Sequence, residues 1–323
     1  MSRFWVPLLA AVALGACSTD ETTDGGGTGS GSGTGTGTGG GTAGSILDAS
    51  LVPTNLRVNV NAIALDYANE VLQVNISSLD TTPLLATYLR DSNLDVPGYQ
   101  AYRIQEDELD RLFIALAKES DDGAVRAVTL ADGGQFNRYF GGGVYERSGT
   151  FDRPLIGTGP GVGQVSYAGG YSAVTNLGIT GGPSFAGIAV PSGTDPSLIP
   201  GQPARVSGDI FLNVNFADNA VNGSIYNRMI VDTSTALATV ILVASDIAAN
   251  GTFAGGVEYA DKTGIGNYGG IFGGVSANSV AGLVHLTEFA PGIENEREHG
   301  VFVLTQCGPN NTLPVCAQVA PFP

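Results

Sequence analysis

Over 323 residues the chain carries 30 acidic against 14 basic side chains, a formal net charge of −16. That excess repels a phosphate backbone, which argues against nucleic acid as a partner and suits a soluble face near anionic lipid, or a basic partner. Beyond the N-terminal leader, no stretch is long and apolar enough to predict a transmembrane helix.

The leader is short. Arg3 supplies a positive start, and residues 6–14 form an apolar run too brief to span a bilayer. Leu14-Gly15-Ala16-Cys17 follows, with a branched apolar residue, two small residues and a cysteine. This pattern predicts a bacterial lipoprotein signal peptide over residues 1–16, with Cys17 as the lipidated residue. Ser18 stands where aspartate would resemble an inner-membrane retention signal, so the expected address is the outer membrane, with the cell surface as the favoured face. Arg3 leaves with the leader, so the processed chain is one base poorer and more acidic still. Trp5 is the only tryptophan. Processed protein is therefore expected to emit with a tyrosine spectrum; a tryptophan band from purified mature protein would refute cleavage after residue 16.

Residues 17–45 read as the lipidated cysteine and a tether. Positions 25–44 hold twelve glycines, the rest being Thr, Ser and one Ala. Such a chain behaves as a flexible coil with a reach of about 30 Å. About 280 residues remain beyond it, enough for one large core or two smaller ones.

Residues 46–155 are expected to form a small α+β subdomain. Residues 56–65 and 71–76 read as strands around a turn, and 99–104 as another. Over 105–120, Leu109, Leu112, Phe113, Leu116 and Ala117 recur at three- and four-residue spacing, with Glu106, Asp107 and Glu108 first and Lys118 last. That pattern predicts an amphipathic helix. Residues 125–130 and 136–146 read as extended, and Gly141-Gly142-Gly143 lacks the Gly-Lys-Ser/Thr that would make a phosphate loop. A Gly/Pro-rich junction is placed at 157–163.

Residues 156–323 read as a β-barrel. Strand-like segments recur near 164–175, 206–216, 221–231, 238–245, 252–259, 268–272, 279–287 and 300–306, nearly all separated by short Asn, Asp, Gly or Ser turns. The pair at 206–231 is the clearest. Val206, Ile210, Leu212, Val214 and Phe216 share one parity, and after the turn Val221, Ile225, Met229 and Val231 oppose Asn222, Ser224 and Arg228. Period-two alternation gives each strand one apolar and one wet face. Eight antiparallel staves remove their edges by closing. The expectation is a mainly β protein with a closed, filled, water-soluble barrel whose apolar parity points inward. The Gly-, Pro- and Ser-rich connection at 177–204 is expected to be a long exposed loop and, with the turns at the other end, the candidate contact surface. Cys307 and Cys316 flank a Gly-Pro-Asn-Asn turn; in an exported protein they are expected to form a structural disulfide.

Several runs here carry a family resemblance. The hairpin at 208–225, Phe253-Ala254-Gly255-Gly256-Val257, the run 269–274 and the run 277–282 resemble, in order, the barrel strands of the transferrin-binding protein B family. The likeness covers roughly the 160 C-terminal residues. Ser279-Val280-Ala281 departs from it, lacking the Glu and first Gly of that family's final motif, and one barrel stands where the full receptor has two lobes. The resemblance implies a surface-type lipoprotein lobe, a handle followed by a barrel, with residues 46–155 as the handle.

Catalytic chemistry is not apparent. His285 and His299 are the only histidines, with no further ligand at zinc spacing, and both are expected on the surface. No Gly-x-Ser-x-Gly elbow occurs, and neither Cys307 nor Cys316 has the context of a thiol nucleophile. The reading is a non-enzymatic binding module for a protein or small solute, with no cofactor and no metal, held to the membrane by its lipid. A periplasm-facing structural lipoprotein without a soluble ligand is the alternative. The contact residues are not legible at this stage.

Overall fold

The computed structural model describes residues 45–77, 84–155, 163–178, 186–290 and 292–318. The leader, Cys17, the tether up to residue 44 and most of the 157–163 junction lie outside the described residues.

Residues 45–147 build one antiparallel meander in chain order, from β1 (Ser45–Ile46) through β2 (Val60–Asp66), β3 (Val71–Ile76), β4 (Leu84–Arg90), β5 (Gln100–Ile104), β6 (Phe113–Glu119) and β7 (Val125–Asp132) to β8 (Gly141–Arg147). A single helical turn, α1 (Thr54–Arg57), sits between β1 and β2. The helix expected over 105–120 is not there. Residues 113–119 are strand β6, and Phe113, Ile114, Ala115, Leu116 and Ala117 are all buried. A strand covered on both faces loses its alternation and reads as a continuous apolar run. That run also matches helical spacing, which is why the periodicity misled.

The remaining strands are β9 (Gln164–Thr175), β10 (Ala204–Asn215), β11 (Ala220–Ile230), the two-residue β12 (Thr235–Ala236), β13 (Val240–Asp246), β14 (Thr252–Glu258), β15 (Gly264–Gly273), β16 (Ser279–Thr287) and β17 (Arg297–Gln306). Pairing runs β10-β9-β17-β16-β15-β14-β13-β11, and β10 pairs β11 to close the ring. The eight-stranded closed barrel is thus as expected. Its interior is filled: Phe272 packs against Tyr167, Phe216 and Phe253 with ring centroids 5.1–5.5 Å apart. A C-terminal turn, α2 (Pro314–Gln318), follows, and Cys307 is bonded to Cys316 with their Cα atoms 5.4 Å apart.

The barrel's outer wall divides in two. On β10 and β11 it carries Asn213, Asn215, Asn222 and Ser224, none of them buried. On β9, β15, β16 and β17 it carries Val174, Ile271, Ala281, Leu283, Val301 and Val303, which join the core of the first sheet. The first sheet therefore sits against that wall, and Gly141 and Gly143 are two of its close approaches. A Cβ at Gly141 would lie 2.5 Å from His299, and one at Gly143 2.7 Å from Leu283. Polar groups cross the seam too. Lys118 Nζ donates to the Val303 carbonyl at 2.9 Å over the Tyr99 ring, and the Tyr99 hydroxyl donates to the Gly170 carbonyl at 2.7 Å.

This seam overturns the surface reading of the histidines. His285 and His299 are cross-strand neighbours on β16 and β17, both pointing out of the barrel. Their rings stack 4.6 Å apart at 9°, and His299 is 4 % exposed. Outward on a barrel stave is not outward to water once a second sheet covers the stave.

One parity assignment also changes. Between β10 and β11 the register slips by one residue at Gly208, with Ser207 facing Met229 but Asp209 facing Tyr226. The extra residue on β11 is a β-bulge, and Asn227 takes it up at φ 51°. Beyond the bulge the faces swap. Arg228, expected outside, is buried in the barrel, and Met229, expected inside, is 38 % exposed.

Candidate functional site

The long connection is a strap. Over residues 186–203 it is fastened to the ends of the first sheet rather than standing free. Arg103 donates to the Ala186 carbonyl. The Ile188 amide donates to Gln105 Oε1 at 2.7 Å. Gln135 Nε2 donates to the carbonyls of both Leu198 (2.8 Å) and Leu109 (3.0 Å), and the Gly201 amide donates to the Gly134 carbonyl at 2.7 Å. The backbones touch at Gly133, where a Cβ would lie 2.1 Å from the Gly201 carbonyl oxygen. Only glycine fits there.

The strap and two turns together form one surface. The β7–β8 hairpin turns at Phe136-Asn137, with Gln135 and Arg138 exchanging backbone hydrogen bonds of 3.1 and 3.0 Å. Both central residues have φ of 54°. This is the geometry of a type I′ turn, which Asn and Gly accept and a bulky aromatic resists. Holding Phe136 there costs about 1 kcal/mol. The ring is only partly covered in exchange, being 59 % exposed. Leu109, Ile188 and Leu198, which the Gln105 and Gln135 bonds bring to the same end of the sheet, are 37–42 % exposed.

The turn is braced from behind. Arg111 pairs with buried Asp132 and donates to the carbonyls of Arg138 and Gln135, each at 2.8 Å, while its guanidinium lies 4.8 Å from the Phe140 ring. Burial raises the Asp132 carboxyl pKa, against the opposing effects of the Phe140 amide and Arg111. Glu106, Asp107 and Asp110 are exposed around Leu109. The surface is thus an apolar patch with carboxylates on its Leu109 side and the exposed Arg138 beside Phe136.

At one end of the barrel lies a second polar cluster, of a different kind. Arg228 donates to Glu298 Oε2 at 2.7 Å and to the Ala238 carbonyl at 2.8 Å; both side chains of the ion pair are fully buried. The Tyr171 hydroxyl donates to Glu298 Oε1 at 2.7 Å, in space left by the missing side chain of Gly300. Phe289 closes over the guanidinium at 5.6 Å. Burial, then Glu298, pushes the Tyr171 pKa well above its ordinary value; burial opposes the charge on Arg228, and Glu298 and Tyr171 outweigh it. With the aromatic interior packed below it, this cluster fastens three staves together rather than opening to a solute.

Of the residues singled out in the sequence, Cys17 lies outside the described residues, and Cys307 with Cys316 closes a loop on the barrel wall. The connection at 177–204 does contribute to the candidate surface, though as a strap. Gln105, Arg111, Gln135 and Phe136 gave no signal of their own; glutamines able to bind two distant carbonyls become meaningful only once the turns are placed. Among the described residues no three His, Cys, Asp or Glu side chains converge as a metal site.

No family model matches the chain, and no curated protein does. Among solved structures it is similar to intact Ap-TbpB with its N and C lobes, at 16 % identity and a TM-score of 0.38 over 77 % of this chain and 46 % of that one. A transferrin-binding protein B double mutant from Haemophilus parasuis matches at 11 % identity and TM-score 0.36 over 76 % and 53 %, and isotype 1 transferrin-binding protein B from Neisseria meningitidis at 14 % and 0.36 over 78 % and 42 %. The chain spans about half the length of these structures. At such scores the likeness carries no argument about function.

Proposed function

We propose that this protein is a non-enzymatic binding module, tethered to the outer membrane through Cys17 and displayed at the cell surface, that captures a protein partner on the patch formed by Leu109, Phe136, Ile188 and Leu198. The observation that carries the reading is Phe136, an aromatic held in a left-handed turn and exposed to water. Strain kept for a ring that stays mostly in water suggests that further contact is supplied from outside. Exposed aromatics make good anchors, and the carboxylates beside Leu109 favour a partner that brings basic groups to that side of an apolar centre. The lipobox and the glycine tether support the membrane address.

The substitution Phe136→Asn separates this role from a structural one. Asparagine accepts the turn, so the fold should gain about 1 kcal/mol, while loss of an anchoring ring should weaken capture by about 2 kcal/mol, or roughly thirtyfold. Wild-type and variant protein immobilised side by side against culture medium and envelope extracts give the comparison. If every retained protein binds both equally, the patch is not the site. Protease treatment of intact cells tests display, and full protection would favour a periplasm-facing structural lipoprotein instead.

A further inference from the structure

The bulge that turns Arg228 inward has a second consequence on the outside of the barrel. Asn227, the residue it ejects, donates from Nδ2 to Asp209 Oδ2 at 2.7 Å. Asp209 and Tyr226 face each other across β10 and β11, and the three side chains form the wall of a cleft of about 450 Å³. The facing wall comes from the far end of the chain. There the Cys307–Cys316 bond closes a loop that brings Leu313, Pro314 and Val315 over the barrel beside Gly169. Leu313 is 44 % exposed although it lines a concave surface. Bulges recur where a strand must re-aim side chains toward a ligand, and here one bulge places two polar groups in a cleft.

The chemistry of the walls selects a ligand class. On one side stand a carboxylate, an amide and a phenol ring. The carboxylate has one oxygen engaged by Asn227 and the other, Oδ1, without a partner among the described residues. On the opposite side are three aliphatic side chains. Burial, then the negative charge of Asp209, raises the Tyr226 pKa, so the phenol stays neutral and the net charge of the cleft is that of one carboxylate. An anion is repelled, and a purely apolar solute leaves Asp209 unpaired. The geometry points to a binding site for a primary alkylammonium group, with the cation on Asp209 beside the Tyr226 ring and its aliphatic stem on Leu313, Pro314 and Val315. A lysine side chain and a free diamine share that chemistry. The site is built from elements other than those of the Phe136 patch and does not depend on the proposed function.

Titrating ¹⁵N-labelled protein with 1,5-diaminopentane, with Nα-acetyl-lysine amide and with pentanoate tests the site by NMR. Either amine should produce saturable amide shifts at Asp209, Asn227 and Val315, and the tighter of the two identifies the source. Pentanoate, of similar length and opposite charge, should produce none there. Asp209→Asn should weaken amine binding at least tenfold, and Leu313→Ser, an exposed change that leaves the barrel intact, about threefold to fivefold. Absence of shifts with both amines would overturn the assignment, as would equal shifts with pentanoate or undiminished binding by Asp209→Asn.

Discussion

Replacing Glu298 by leucine is expected to cost the fold about 3–5 kcal/mol, because it strands a guanidinium inside the barrel. Arg228 is 1 % exposed, and its Nε already lacks a partner. Glu298 takes up one of its nitrogens and the Tyr171 hydroxyl at once, so the change leaves two donors without an acceptor. The loss should appear as a lower urea midpoint with an unchanged slope, since the surface exposed on unfolding is the same. The double substitution Arg228→Met with Glu298→Leu removes the charge together with its counter-charge. Buried ion pairs exchanged for apolar side chains of similar size are often neutral or stabilising, but the Tyr171 hydroxyl still lacks its acceptor, so the double variant should recover most of the loss and stay about 1–3 kcal/mol below wild type. A double variant as weak as the sum of its single changes would show that the pair does more than satisfy itself. The cost arises because the bulge at Asn227 forces position 228 inward, and the arginine there needs its partner.

That bulge also marks a limit of what the sequence discloses. Strands 164–175 and 279–287 are legible to the residue, because runs rich in Val, Tyr, Leu and Thr are bounded by turn residues. On β11 period-two alternation assigns Arg228 and Met229 to the wrong faces, since a one-residue slip inverts every later side chain. Asn227 tolerates the left-handed backbone, but so do many asparagines that occupy ordinary turns. Residues 113–117 fail for another reason, burial on both faces. The candidate surface fails for a third. Gln135 and Leu198 are 63 positions apart, and neither residue type suggests that they meet. Phe136 could be read as an extended residue from its identity; its strain is a property of the two-residue turn between Gln135 and Arg138, visible only when the pairing is known. Recognition surfaces assembled from turns of two sheets are of this kind. The scaffold is written in local periodicity, and the surface in contacts between distant segments.

Mild acid should loosen the protein through its two histidines. Burial lowers the pKa of His285 and takes that of His299 well below the ordinary value of 6.5, with each other's ring and Arg297 adding to the effect on His299. His285 Nδ1 lies 3.1 Å from the Asn55 carbonyl, while Nε2 is buried without a partner, so a second proton on that ring finds no acceptor. For groups whose folded pKa is depressed below the unfolded one, the unfolded chain takes up protons first as the pH falls. Stability is then whole above about pH 6.5 and declines below it, by at most about 1.4 kcal/mol per pH unit for each histidine. Between pH 7 and 5.5 the two together can remove up to about 3 kcal/mol. Asp132 works in the opposite sense, because its raised carboxyl pKa favours the folded state in acid. Chemical denaturation at half-unit steps from pH 7.5 to 5 would trace the decline. His299→Gln lowers stability at neutral pH by disturbing the stack beside Gly141, yet its dependence on pH should fall by about half, since one of the two titrating rings is gone. A slope left unchanged by that substitution would place the acid sensitivity elsewhere. Because the stack lies under the first sheet, the segments first freed in acid should be α1 and the Gly141–Gly143 end of β8. Hydrogen exchange at pH 5.5 is expected to show their amides opening ahead of the barrel staves.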